Sequence, residues 1–329
     1  MREILFCVSI DTECDHTLSW AKPKPVTFHS VRYGLRQKLY PLFRTYGVRP
    51  TYLITSEVLE DKESVDALTH LAGACEFGTH LHPEYVEPYQ KHRDPSGTTS
   101  EEFLSELPVD VQRAKLGTIS QLFREAFGIP PCSFRAGRFG ASSTILAALH
   151  DLGYEVDSSV TPSIRWTGKN GVLDFSNAPV QPYFPSSKNL SKQGSLPILE
   201  IPVTIGFLPL GKWFQRWLRG RWPIELPGLR FLCRSVWLRP SRSTVKEMIA
   251  LIRNLDKVCG EASPLVLNMM FHSMEVIPGA SPYSKSEEDV QRFLMRIEQV
   301  LKYCINRWRV TFTTLSEVSK YFRRTLPVG

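Results

Sequence analysis

Residues 3–13 read Glu-Ile-Leu-Phe-Cys-Val-Ser-Ile-Asp-Thr-Glu, and residues 75–84 read Cys-Glu-Phe-Gly-Thr-His-Leu-His-Pro-Glu. Each stretch is a short apolar run that ends abruptly on chemistry: two carboxylates two residues apart in the first, two imidazoles two residues apart in the second. In extended chain, residues i and i+2 point the same way. Asp11 with Glu13, and His80 with His82, can therefore each aim two groups to one side. A carboxylate with two imidazoles makes a three-ligand site for zinc or a similar divalent ion, with a fourth position left for water. That donor set points to metal-assisted hydrolysis.

Working outward, the same kind of run recurs along the chain. Strands are expected at Glu3–Ile10, Thr51–Thr55, Cys75–Thr79, Cys132–Arg135, Tyr154–Asp157, Pro197–Val203, Leu265–Phe271 and Arg309–Phe312. Helical patterns separate them. The strongest is Lys285–Asn306, where Val290, Phe293, Leu294, Ile297, Val300, Leu301, Cys304 and Ile305 form one stripe, opened by a capping box of Ser284 and Glu287. Other helices should close at Gly47, Gly128 and Gly153, since glycine enters the left-handed conformation without a Cβ penalty. Alternating strands and helices predict a parallel sheet in a distorted (β/α) barrel of about seven units, as a single domain over 1–329. Two irregular stretches, Pro83–Leu107 and Thr161–Leu196, are long enough to be functional covers. In such a barrel the C-terminal strand ends share one mouth, and Asp11, Glu13, His80, His82, Arg135, Asp157 and His272 all fall at such ends.

Composition excludes several classes. The chain has 329 residues, 42% of them hydrophobic and 22% charged, which suits a folded globular protein and argues against general disorder. Seven scattered cysteines without a CxxC pair give no disulfide framework or zinc ribbon, and are read as reduced. No secretory signal pattern or membrane-length apolar run is found, so a cytoplasmic protein is expected. The net charge of +7 is concentrated: residues 211–242 hold eight basic residues and one acid, with Trp213, Trp217, Trp222 and Trp237 among them. A single basic and aromatic patch argues poorly for nucleic acid. It is read either as peripheral contact with anionic lipid on the inner face of the membrane or as a solvated face over some core tryptophans.

The segments Ser9-Ile10-Asp11-Thr12-Glu13, Gly78-Thr79-His80-Leu81-His82-Pro83, Phe134-Arg135-Ala136-Gly137-Arg138-Phe139-Gly140, Asp157-Ser158-Ser159-Val160 and Phe271-His272-Ser273, in that order, resemble the motifs of the NodB-type polysaccharide deacetylases. The resemblance covers roughly residues 3–315 and leaves about 207–242 as an insertion. It implies a metal-dependent N-deacetylase acting on an N-acetylated sugar or glycan, and a lipid-linked intermediate of surface-polysaccharide assembly is the expected form of that substrate. By the same resemblance Asp11 is the base, paired with Arg135; Glu13 and His80 are metal ligands; His272 protonates the leaving amine; and Asp157 orients its imidazole. The chain departs from the pattern twice. Where many members have adjacent aspartates it has Asp11-Thr12-Glu13, leaving the division between base and ligand open. Where their second histidine falls it has Glu84, so His82 is taken as the remaining ligand with Glu84 its rival. Arg138, with Glu84, is the expected substrate-side pair, its guanidinium suited to an acidic sugar or a phosphate. The alternatives are another hydrolase on the same barrel, cleaving a non-sugar amide or a glycosidic bond, and a glycan-binding relative without catalysis.

Overall fold

The strand β1 (Glu3–Thr12) is buried on both faces, and its two faces do different work. In the computed structural model, which describes residues 2–90, 103–207, 235–260 and 264–325, Ile4, Phe6, Val8 and Ile10 pack outward into the large core beneath the helices. Leu5 and Cys7 point the other way, into a second cluster with Leu53, Val156, Leu199, Ile201 and Val266. Period-two alternation thus separates a helix-facing side from a barrel interior. Leu315 and Val318, from the helix Leu315–Thr325, complete that interior cluster.

Seven further strands join β1 in one sheet: β2 (Thr51–Ile54), β3 (Glu76–Leu81), β4 (Ser133–Ala136), β5 (Val156–Asp157), β8 (Leu199–Glu200), β11 (Leu265–His272) and β12 (Arg309–Phe312). The order is β11-β1-β2-β3-β4-β5-β8, with β12 also against β1, and every pairing is parallel. Each expected strand lies in this sheet, with ends shifted by a few residues. The gap between β8 and β11 is bridged by irregular backbone: Thr204 N–H donates to Asn268 O, Leu238 N–H to Thr204 O, and Met270 N–H to Leu238 O. The architecture is the expected distorted parallel barrel, with helices outside. Two small pairs, β6 (Arg165–Thr167) with β7 (Val172–Asp174) and β9 (Ile205–Gly206) with β10 (Val236–Trp237), are antiparallel. The first lies inside the stretch expected to be irregular.

Helix ends follow their caps. Gly47 and Gly128 close helices at φ 68° and 70°, and Gly153 follows the helix Ser143–Asp151 at φ 90°. The long C-terminal helix runs Glu287–Arg307, and its cap differs from the expectation: the box is Ser286 with Asp289. Ser284 is used elsewhere, its hydroxyl donating to Glu275 O. The helix's apolar stripe is buried apart from half-buried Leu294 and, at the end, exposed Ile305.

The described end of the insertion is part of the core, as the reading of a face over some core tryptophans allowed. Trp237 is 1% exposed and packs with Phe139 and Trp166, so it is a core residue, and Arg239 is buried in an ion pair. Neither belongs to a free basic surface. Trp213, Trp217 and Trp222 lie outside the described residues.

Candidate metal centre and active site

Moving up the barrel interior, apolar side chains give way to polar ones. Above Cys7 the next inward residue of β1 is Ser9, whose hydroxyl donates to Asn268 Oδ1 at 2.7 Å. Arg135 rises from β4 into this layer with no exposed surface. Its Nε donates to Ser158 O at 2.8 Å, one terminal nitrogen to Ser9 Oγ at 2.7 Å and Ser158 Oγ at 2.9 Å, and the other to Asp11 Oδ1 at 2.6 Å. Burying the two ions costs several kcal/mol each, and the pair persists because the guanidinium makes four hydrogen bonds, one of them to Asp11. Burial opposes ionisation of Asp11, but Arg135, His80 and His272 outweigh it and hold the carboxyl below its ordinary value.

One layer higher, Glu13 meets both histidines of the third motif. Glu13 Oε1 is 3.3 Å from His80 Nε2 and 3.4 Å from His82 Nε2, and the two imidazole nitrogens are 3.1 Å apart. His80 Nδ1 lies 2.9 Å from Arg135 O. A carbonyl only accepts, so Nδ1 carries the hydrogen and Nε2 presents a lone pair to another imidazole and a carboxylate. A proton or a metal ion between them satisfies lone pairs that converge in this way. Among the described residues Glu13, His80 and His82 bring their ligand atoms within 4.8 Å of one another, and two nitrogens with one oxygen suit zinc or a similar divalent ion. Burial resists charging Glu13, yet His82, His80 and His16 together hold it well below the usual carboxylate range. His82 stands close against Gly137, the residue after β4: a Cβ there would stand 2.7 Å from the His82 ring, so this close approach requires glycine.

The rival ligand is otherwise engaged. Glu84 is buried, and Arg138 grips both its oxygens, at 2.5 and 3.2 Å. The pair stands together as expected, but the guanidinium fork is closed on Glu84 instead of presented empty to an anionic sugar.

Two other sequence expectations meet the register of the sheet. His272 pairs with Asp11 across β11 and β1, and its Nε2 is 3.8 Å from Asp11 Oδ2 and 3.9 Å from Glu13 Oε1. Asp157 does not orient it. On β5 the inward side chain is Val156, which belongs to the interior cluster, and Ser158 next reaches Arg135. Asp157 lies between them and therefore points out of the barrel. There it accepts from Ser159 Oγ at 2.7 Å beside Glu200 of β8. The partners of His272 are Glu275 and Arg239: Nδ1 is 3.2 Å from Glu275 Oε1 and 3.1 Å from an Arg239 terminal nitrogen, which also donates to Glu275 Oε1 at 2.6 Å. The spacing His272-x-x-Glu275 was a readable signal, since a three-residue offset brings an acid back onto its own strand end. Arg239 had none, being hidden among the charges of the insertion.

Three more side chains line the mouth. His16 is buried with its Nε2 3.5 Å from Glu13 Oε2, and burial, only partly offset by Glu13, pushes it down to about 4, leaving a neutral ring. Trp20 packs edge-on against both His16 and His272, at centroid distances of 4.9 and 5.0 Å. Lys22 pairs with Glu57 at 2.6 Å and sits over the Tyr85 ring. Cys14 is fully buried, and burial raises its thiol well above the ordinary value, as expected of a packing residue.

Compared as sequence, the chain matches no family model and no curated protein. Compared as structure, it is similar to a Parabacteroides distasonis protein assigned as a glycoside hydrolase/deacetylase, at TM-score 0.64 and 15% identity over 99% of this chain and 72% of that one. It is also similar to a Pseudomonas aeruginosa protein assigned as a polysaccharide deacetylase, at TM-score 0.54 and 13% identity over 99% and 92% of the two chains. A 4-alpha-glucanotransferase from Thermococcus litoralis aligns at TM-score 0.53 and 14% identity, covering 100% of this chain and 41% of that one. At these identities the likeness is one of fold, and it agrees with the NodB-like barrel expected from the motifs.

Proposed function

We propose that this chain is a metal-dependent hydrolase that removes the acetyl group from an N-acetylated sugar within a glycan. The observation that carries the reading is the convergence of Glu13, His80 and His82 on one point, with Asp11 and His272 flanking it. The deacetylase assignments among proteins of similar fold support it. A divalent ion held by Glu13, His80 and His82, zinc being the expected one, supplies Lewis acidity toward the amide carbonyl and toward water.

The remaining chemistry belongs to the chain. Asp11 has one oxygen fixed by Arg135, which leaves Oδ2 to take the proton of the attacking water, and the arginine keeps it ionised for that purpose. His272 faces the same space through Nε2 and gives a proton to the departing amine, which is too basic to leave unprotonated. Glu275 and Arg239 both stand beside Nδ1 and fix the position of the ring, and Arg239 anchors Glu275.

The finer reading is a lipid-carried glycan met at the inner face of the membrane. It is supported by residues 212–234, where six basic residues and three tryptophans accompany one acid. Purified protein should release acetate from an N-acetylated glycan, stop when a chelator strips stoichiometric metal, and recover when zinc is returned. Hydrolysis without acetate would assign the barrel to another amide or to a glycosidic bond, and bound metal without turnover to a glycan-binding relative.

A further inference from the structure

A cavity lies at the end of the barrel opposite the candidate metal centre. Gly47–Pro50 lead into β2 and Leu71–Cys75 into β3, so what they line stands at the N-terminal strand ends. A pocket of about 260 Å³ opens there, lined by Phe43, Val48, Pro50, Leu71 and Ala74 among others. Active sites of parallel barrels lie at the other end, so an occupant here is a bound ligand and not the substrate. Two polar groups of the pocket lack partners. Tyr52 lines it and is 1% exposed, yet its hydroxyl makes no hydrogen bond among the described residues. Burial, with the Cys75 thiol nearby, raises this phenol above its ordinary value, which keeps it neutral and able both to donate and to accept. Cys75 is itself engaged, its thiol donating to Leu71 O at 3.2 Å. Arg44, in the last turn of the helix Tyr40–Tyr46, lines the pocket from the exposed side, and its guanidinium has no ion pair or hydrogen bond among the described residues. The other nearby charges are paired or hydrogen-bonded: Arg49 meets Glu317 at 2.5 Å, and Glu76 accepts from the Ser133 hydroxyl and from Ser316 N–H.

We infer that this pocket binds a small aromatic carboxylate, with its ring against the apolar wall, its carboxylate on Arg44 and a polar ring substituent on Tyr52. Apolar walls with a few placed polar groups are the usual make-up of a small-molecule site. Size sets the class of ligand. An apolar cavity of about 150 Å³ is enough for benzene, so this one admits a single substituted ring and is too small for a long acyl chain. A ring also has few torsions to freeze on burial, which a flexible chain of the same volume does not share. Ordered water is a poor filler, since it needs two to four polar partners and most of the wall is carbon. The charge of the ligand follows from Arg44, whose fork suits a carboxylate and which no acid of the described residues neutralises. The substituent follows from Tyr52, because a buried hydroxyl without a partner favours an occupant that supplies one. None of this depends on what reaction the opposite end of the barrel performs.

The test is calorimetric titration of the purified full chain with 4-hydroxyphenylacetate. Its comparators are the methyl ester, which lacks the charge, phenylacetate, which lacks the ring hydroxyl, and octanoate, a flexible acyl acid. 4-Hydroxyphenylacetate should saturate a single site with a Kd of about 1 mM or tighter, and each comparator should bind about threefold to tenfold more weakly. Arg44→Ala should bring the acid down to the level of its ester, and Tyr52→Phe should bring it down to the level of phenylacetate. Thermal melting of Arg44→Ala should stay at the wild-type value. That of Tyr52→Phe should not fall, because the substitution removes a hydroxyl that bonds to nothing in the free protein; a fall would show that hydroxyl to be already engaged and would overturn its role. The inference as a whole is overturned if nothing saturates by about 10 mM, if both variants bind like wild type, or if octanoate binds more tightly than 4-hydroxyphenylacetate. Repeating the titration in chelator separates the pocket from the metal centre, where a carboxylate can also coordinate. Binding that is lost with the metal and kept in both variants belongs to that centre and overturns the inference.

Discussion

Arg135 and Asp11 come from strands β4 and β1, 124 residues apart in sequence, and meet at 2.6 Å inside the barrel. Neither has more than 3% of its side chain exposed. The Arg135 charge holds the Asp11 carboxyl below its ordinary value, and the pair fixes the proposed base beneath the candidate metal site.

Arg135→Leu should leave Asp11 buried without its partner and cost about 3–5 kcal/mol of stability. Asp11→Asn keeps the shape and should instead lower turnover by about 100- to 10,000-fold with metal content unchanged. Denaturant unfolding and elemental analysis, run alongside acetate release, distinguish these. Wild-type turnover in Asp11→Asn would remove it from the mechanism.

Glu275 and Asp157 make opposite predictions. Glu275→Ala should depress turnover at constant metal loading, because the His272 ring loses a neighbour that positions it and Arg239 loses its anion. Asp157→Asn should leave turnover near the wild-type level, since its carboxylate faces Ser159 outside the barrel. The reverse pattern would restore Asp157 as the orienting residue.

Gly137→Ala adds a methyl group where the His82 ring already lies, so the ring must move off the cluster. Metal affinity should fall by about 10- to 100-fold, the usual effect of disturbing the support of a ligand. Competition with a chromogenic chelator measures it. Unchanged affinity would mean that His82 is not a ligand.

The outward pair gives a pH prediction. Burial and the neighbouring Asp157 charge push Glu200 well above the ordinary carboxyl value. As pH rises past about 4, the unfolded chain releases this proton while the folded one keeps it, so stability declines until the folded value is passed. Glu200→Gln is neutral throughout and can still accept from Val160 N–H. It should therefore be more stable than wild type at neutral pH and lose that advantage near pH 4. Chemical denaturation across this range checks the sign; an advantage that grows toward acid would refute it.

What the sequence by itself determined is the local part of the fold and of the site. Apolar runs of strand length marked all eight sheet strands, and the spacing of two placed His80 with His82 on one face, because alternation is a property of extended backbone and needs no tertiary partner. Glu13 was readable for the same reason. Tertiary structure alone decided the rest. Whether a residue at a strand end looks in or out depends on the register across the sheet, and at β5 one position sends Asp157 outward and Ser158 inward. Glu84 was a ligand candidate until Arg138 closed on it from another loop, and Arg239 reached His272 and Glu275 from the far end of what looked like a surface insertion. Such partners are chosen by geometry between distant segments, where charge and spacing along the chain carry no record of which groups will meet.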